Sequence, residues 1–167
     1  MQVIDDFLPK EDFEYLKEIF LSDYFPWYVQ KDISIQDDWF DNKNSYMLTH
    51  GVYKDNVPNS KWFDDINDIL LSKVNSIIKV NSILRIKLNH YPSSNTIVKH
   101  KMHYDFDFNH NALLYSLNDC DGYTYFEDGS KVQSKANRII LFDASVPHCS
   151  TNCTDSKYRI NINANWL

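Results

Sequence analysis

Two spacings of apolar residues divide the chain. Up to about residue 80 they recur every three or four positions, and from residue 83 every second position. Phe13, Leu16, Ile19 and Phe20 share one helical face, and Pro9 stands where that helix would begin. Glu11, Asp12 and Glu14 fall in its first turns, where the helix dipole favours acids. Phe25-Pro26-Trp27-Tyr28 ends it. Residues 29–59 are polar and irregular, with room for short strands and loops. Ser60 is a candidate cap for a second helix carrying Phe63, Ile66, Ile69, Leu70 and Val74, with Asp64 and Asp65 early.

Ile83-Leu84-Arg85-Ile86-Lys87-Leu88 then alternates, and Tyr91-Pro92 closes that run. Further strands are predicted at Ala112–Leu117, Tyr123–Phe126, Arg138–Phe142 and Tyr158–Trp166, after a short extended start at Val3 to Leu8. Short strands joined by Asn, Asp and Gly turns imply an antiparallel barrel or two-sheet roll, with a helical N-terminal part packed on it. No internal repeat or linker interrupts the sequence, and 167 residues suit one domain: residues 1–80 mainly helical, 81–167 the β core.

Composition narrows the function classes. The chain is 43% hydrophobic and 15% aromatic, as a globular protein should be, and its net charge of −6 argues against sequence-independent nucleic-acid binding. Cys120, Cys149 and Cys153 are an odd count without a dense framework, which fits a reduced, cytoplasmic protein and no structural disulfide set. Met1 to Lys10 lacks the pattern of a signal peptide, and no apolar run approaches membrane-spanning length.

The chemistry concentrates in the β half. His103 and Asp105 are two apart, so in an extended segment both point to one side. His148 follows after several strands, which can return it to the same rim. Two imidazoles and a carboxylate leave open positions on a non-haem Fe(II). The spacing by itself is common, and on those residues alone surface or core polar groups would be the better account. Arg159, 11 positions after His148, offers a planar fork for a carboxylate.

The order of segments resembles the prolyl 4-hydroxylase-like branch of the Fe(II)/2-oxoglutarate oxygenases. In that family a Tyr-Leu-Asn strand precedes Gly-Gly-x-Thr-x-Phe. A Gly-Asp-Ala-Leu-Leu-Phe-like strand leads to the distal His, and a basic residue follows. Here stand Tyr115-Ser116-Leu117-Asn118, Asp121-Gly122-Tyr123-Thr124-Tyr125-Phe126, Asn137-Arg138-Ile139-Ile140-Leu141-Phe142, His148 and Arg159. The opening Val3-Ile4-Asp5-Asp6-Phe7-Leu8-Pro9 is also similar to the family's. Asp121 departs from the first Gly, Asn137-Arg138 from Gly-Asp, and Arg159 from the Lys of collagen-type enzymes.

The resemblance, clear over residues 84–167, implies an α+β protein: a double-stranded β-helix (a jelly-roll or cupin-like barrel) with N-terminal helices on one sheet. It implies Fe(II) on His103, Asp105 and His148. It implies 2-oxoglutarate as co-substrate with its far carboxylate on Arg159, and O₂ as oxidant. Tyr91, Thr124 and Asn163 are further candidates for the co-substrate site. Each has an ordinary alternative: a Tyr closing a barrel end, a β-branched strand residue, a surface-facing Asn. The implied reaction is hydroxylation of a C–H bond in a peptide side chain or small molecule, releasing succinate and CO₂. Asp105 argues against halogenation, because related halogenases lack that carboxylate.

Two other functions compete. Asn89-His90-Tyr91 and Arg159-Ile160-Asn161 partly resemble AlkB-type nucleobase demethylases, though Asn163 and Asn165 replace the Thr and final Arg of that motif. A non-catalytic β-roll binding module has no need of all four site residues. Tyr104, Phe106 and Phe108 are candidates for a substrate wall or for packing. His50, His90, His100 and His110 read as exposed bystanders. A zinc cluster on His148, Cys149 and Cys153 lacks a second Cys pair. Loops 29–59 and 92–100 are expected to shape the entrance.

Overall fold

The computed structural model describes residues 1–30 and 46–167. The expectation for the middle of the first long loop, residues 31–45, lies outside the described residues.

Eleven strands among the described residues form two antiparallel sheets. They are β1 (Gln2–Ile4), β2 (Tyr28–Gln30), β3 (Met47–Lys54), β4 (Val57–Pro58), β5 (Ile83–Pro92), β6 (Asn111–Ser116), β7 (Tyr123–Phe126), β8 (Lys131–Gln133), β9 (Arg138–Asp143), β10 (His148–Ser150) and β11 (Tyr158–Trp166). The larger sheet runs β1-β9-β6-β11-β5-β3-β2, with β4 beside β3, and the smaller runs β10-β7-β8. The segment before β6 joins the smaller sheet through two isolated bridges, Lys99 to Thr151 and His103 to His148. This is the two-layer roll expected of a double-stranded β-helix. Two predicted strands have the expected bounds, while β6 lies one residue earlier and β9 runs on to Asp143. Within the segment read as irregular, β3 is eight residues long and extends the larger sheet by pairing with β5.

Alternation gives the larger sheet two different faces. On β11, Ile160, Ile162, Ala164 and Trp166 point outward, while Arg159, Asn161, Asn163 and Asn165 point into the roll; all eight are buried. The outward set packs against Phe13, Leu16 and Phe20 of helix α1 (Lys10–Phe20) and against Ile66, Leu70 and Val74 of the second helix. That helix is composite: α2 (Phe63–Asp65), a π-helical stretch (Ile66–Leu71) and α3 (Ser72–Asn75). Its N-cap is Trp62 rather than Ser60, whose hydroxyl accepts from the Trp62 N–H at 3.3 Å and meets His50 Nε2 at 2.8 Å. The wider i→i+5 turn rotates the buried face, so Leu71 is covered and Ile69 only partly so. Inside the roll, Ala112, Leu114, Ile140 and Phe142 meet Phe126 and Val132 of the smaller sheet in a second apolar cluster.

Asn137 explains a departure from the family motif. Its φ of 59° is in the left-handed region, where Asn is the usual substitute for Gly. Its side chain also ties the N-terminus to the roll. Oδ1 accepts from the Leu8 N–H at 2.9 Å and the Tyr115 hydroxyl at 2.7 Å, and Nδ2 donates to the Leu8 carbonyl at 2.9 Å.

The three cysteines are free and buried, and burial pushes the Cys153 thiol up to about 12. No helix among the described residues is long and apolar enough to cross a membrane.

Two outcomes are expected. Asn137→Ala strands three buried polar groups and a left-handed residue, so urea unfolding should register a loss of about 2–4 kcal/mol. Asn137→Gly, which keeps the backbone freedom, should lose less. In thiol titration without reductant, the native protein should react slowly and the unfolded protein should show three thiols; a single thiol would contradict the assignment.

Candidate metal centre and cleft

His103, Asp105 and His148 come together, each offering a ligand atom within 4.8 Å of the others. The two histidines are direct cross-strand partners. Each donates its backbone N–H to the other's carbonyl, at 3.0 and 2.9 Å, which places the rings side by side with centroids 4.9 Å apart. In each ring Nδ1 lies 3.1 Å from a backbone carbonyl two residues earlier, Lys101 for His103 and Val146 for His148. A proton on Nδ1 satisfies that carbonyl and leaves the Nε2 lone pair free, the arrangement seen behind metal-bound imidazoles. Burial lowers the pKa of His148 and so favours its neutral form.

Asp105 has its own support. Arg85 donates to Oδ1 at 2.6 Å and Asn165 Nδ2 to Oδ2 at 2.8 Å. Burial alone would raise its pKa. Arg85, Lys87 and the Asn165 bond outweigh burial and hold the carboxyl well below its usual range. Two imidazoles with Nδ1 turned to a backbone carbonyl and an ionised carboxylate, each oriented from behind, fit a divalent ion.

Four inward-facing rungs of β5 and β11 line the space beside this group: Arg85 with Asn165, Lys87 with Asn163, Asn89 with Asn161, and Tyr91 with Arg159. Arg85 donates to Asn163 and Asn165 as well as to Asp105. Asn89 Nδ2 donates to Asn161 Oδ1 at 3.0 Å, while Asn89 Oδ1 and Asn161 Nδ2 are buried without a partner among the described residues. Lys87 lines the cleft, and lost hydration beside Arg85 pushes its pKa down to about 8. The cleft, about 260 Å³, is also lined by His103, Asp105, Tyr91, His100, Tyr104 and Ser150.

Arg159 is 2% exposed and has no acidic partner within 4.0 Å among the described residues. One guanidinium nitrogen donates to the Tyr123 and Thr151 carbonyls at 3.0 and 2.9 Å, and the other to Thr124 Oγ1 at 2.9 Å. Its Nε has no partner, and the Tyr91 ring lies 5.6 Å away. Gly122 makes room for this side chain, because a Cβ there would overlap the Asn152 carbonyl oxygen and come within 2.8 Å of Arg159 Cδ. The first position of the family's Gly-Gly pair has no such restriction. Asp121 occupies it and uses its carboxylate to accept from the Thr154 N–H at 2.7 Å.

The structure thus gathers the expected ligand trio, and separately Tyr91, Thr124 and Arg159. Asn163 stands two rungs from Arg159 and bonds Arg85 and the Leu113 carbonyl. The histidine expectation needs correction. His50, His100 and His110 are buried, and His90 is half-buried. His50 is enclosed by Phe25, Tyr28 and Trp62, while His100 lines the cleft, where burial beside Arg159 and His103 pushes its pKa down to about 4. Within residues 93–100, His100 is the residue that lines the cleft. Arg85 and Lys87 were not singled out in the sequence, although they share the parity of Tyr91.

No family model and no curated protein matches the sequence. Solved structures do match. A prolyl 4-hydroxylase from Pseudomonas putida superposes with a TM-score of 0.64 at 11% identity, covering 99% of this chain and 91% of that one. A Trichoplax adhaerens prolyl hydroxylase, solved with a peptide fragment of hypoxia inducible factor, gives 0.70 at 15% over 99% and 82%. The fold is that of the prolyl 4-hydroxylase-type 2-oxoglutarate oxygenases. SnoN, a non-haem α-ketoglutarate-dependent epimerase of nogalamycin biosynthesis, gives 0.66 at 12% over 99% and 76%. This oxygenase fold therefore hosts more than one reaction, and the choice among them rests on site residues.

The Gly122 contact gives a direct check. Gly122→Ala must displace either a backbone carbonyl or Arg159, so denaturant unfolding should show a loss of about 1–3 kcal/mol, the usual range for overpacking.

Proposed function

We propose that the protein is an Fe(II)- and 2-oxoglutarate-dependent dioxygenase that hydroxylates a C–H bond of a small molecule or peptide side chain. The observation that carries this reading is the pairing of two features in one roll. His103, Asp105 and His148 converge on one point, and a buried guanidinium without an acid faces the same interior. An unpaired buried cation is costly, and a dicarboxylic co-substrate would remove that cost.

Each residue then has a defined task. His103 and His148 would present Nε2 to the ion, and Asp105 supplies the negative charge that Arg85 and Asn165 keep aimed. Arg159 binds the far carboxylate, with Thr124 fixing one arm of its fork and Tyr91 flanking it. Asn163 acts at one remove, by holding Arg85. Bound Fe(II) with 2-oxoglutarate supplies O₂ activation coupled to loss of CO₂. A peptide substrate has a precedent in the Trichoplax enzyme of the same fold. Three free thiols support a reducing, cytoplasmic setting.

The test separates metal from co-substrate. Wild-type protein with Fe(II) should convert 2-oxoglutarate slowly to succinate without added substrate. Arg159→Ala should weaken 2-oxoglutarate binding by about 2–5 kcal/mol, as for truncating one partner of a buried charge pair, and leave Fe(II) affinity intact. His103→Ala should lose Fe(II) with little change in unfolding midpoint. An unchanged 2-oxoglutarate affinity in Arg159→Ala would overturn the co-substrate assignment.

A further inference from the structure

Lys87 helps keep Asp105 ionised from a distance, yet it is the one inward charge of the β5–β11 ladder that the proposed arrangement leaves without a direct hydrogen-bond or ion-pair partner among the described residues. Arg85 is matched by Asp105 at 2.6 Å. Arg159 takes the far carboxylate of 2-oxoglutarate, and the metal takes the near one. Between those two levels the Lys87 ammonium faces the cleft, with no hydrogen bond and no acid within 4.0 Å among the described residues.

Its surroundings leave it available. The side-chain Oδ1 of Asn163, across the rung, already accepts from Arg85. On the other side, the partner of Lys87 on β3 is Gly51, and a Cβ built there would meet nothing within 4 Å among the described residues. Open space thus adjoins the lysine. One rung deeper, Asn89 Oδ1 and Asn161 Nδ2 are also buried and unpartnered, a free acceptor and a free donor. A cation, an acceptor, a donor and open space together describe a subsite for a polar ligand with an anionic group. Buried polar atoms are normally satisfied, so these two call for a partner, either a ligand group or an ordered water.

We infer that Lys87 binds a carboxylate of the primary substrate, which is therefore a small organic acid with at least one free carboxylate. This rests on the proposed co-substrate arrangement, because only there are both carboxylates of 2-oxoglutarate already held. The near carboxylate of 2-oxoglutarate is the other source of the same chemistry, and the experiment separates the two.

The protein is loaded with redox-inert Mn(II) and 2-oxoglutarate. Free amino acids and four- to six-carbon hydroxy acids are screened, each beside its carboxamide, by ligand-observed NMR and then calorimetry. At least one acid should bind ten times more tightly than its amide. Lys87→Met and Lys87→Gln should erase that preference, Lys87→Arg should keep it, and Mn(II) binding by each variant reports an intact site. Affinity for 2-oxoglutarate should stay within threefold in Lys87→Met. The inference is overturned if no acid outcompetes its amide, or if the preference survives in Lys87→Met. A tenfold loss of 2-oxoglutarate affinity with unaltered acid binding would also overturn it, by assigning Lys87 to the co-substrate. If wild-type protein binds no 2-oxoglutarate, the co-substrate reading fails by itself, and the acid and amide comparison with Mn(II) alone still decides Lys87.

Discussion

The register of β11 against β5 is the constraint on which the site depends. Pairing Arg159 with Tyr91 and Asn165 with Arg85 sends all eight polar ladder residues inward. The same register sends Ile86, Leu88, Ile160, Ile162, Ala164 and Trp166 outward under the helices. A slip of one residue would invert both sets, because side chains alternate with period two. It would strand several large apolar side chains in the cleft, each worth about 1.5–3 kcal/mol when properly buried. Packing against α1 and the composite second helix therefore aims the polar face. The helices contribute no described residue to the cleft, yet they determine which way it is lined.

That polar face is costly in itself, and the cost is met differently along its length. Near the mouth, Arg85, Asn163, Asn165 and Asp105 bond one another, leaving Arg85 Nε without a partner among the described residues, and the ion pair with Arg85 keeps the carboxylate ionised. At the deep end, Arg159 has carbonyls and a hydroxyl but no opposing charge. The middle rungs hold the unpartnered amide atoms of Asn89 and Asn161. Charge pairing, among the described residues, thus falls off from mouth to depth. The mouth is built to hold its shape empty, and the interior is built to be completed.

Much of this was legible in the sequence because strands and metal ligands leave short-range signatures. Alternation located β5 and β11, and the order of Tyr115, Gly122, Thr124, Phe142, His148 and Arg159 carried the family resemblance. The π-helical turn at Ile66–Leu71 left no such trace, since its pattern of apolar residues also satisfies an ordinary helix. Histidine burial was missed because it depends on neighbours far away in sequence: His50 is enclosed by Phe25 and Trp62. Arg85 and Lys87 share the parity of Tyr91, so the period of two that located β5 also places them on its face. What hid them was the ordinary expectation that charged residues of an alternating strand face water. The two glycine departures are also explained only in three dimensions. Asn137 reproduces the left-handed backbone, while Gly122 alone is pressed against Arg159.

The position of the ligand trio follows from the division of the roll's interior. One half is apolar, formed by Leu114, Phe126, Val132, Ile140 and Phe142. The other is the charged ladder. His148 lies against the first, its ring 4.9 Å from Phe142 and 6.2 Å from Phe126, and that burial favours the neutral imidazole. Asp105 lies against the second, where Arg85 and Asn165 favour the ionised carboxylate. A divalent ion needs both protonation states at the same pH and within a few ångströms. A uniformly apolar interior would protonate the acid, and a uniformly acidic one would protonate the imidazoles. Only a seam between two unlike walls meets both demands, and the cross-strand pair of His103 and His148 is what sets the ligands along it.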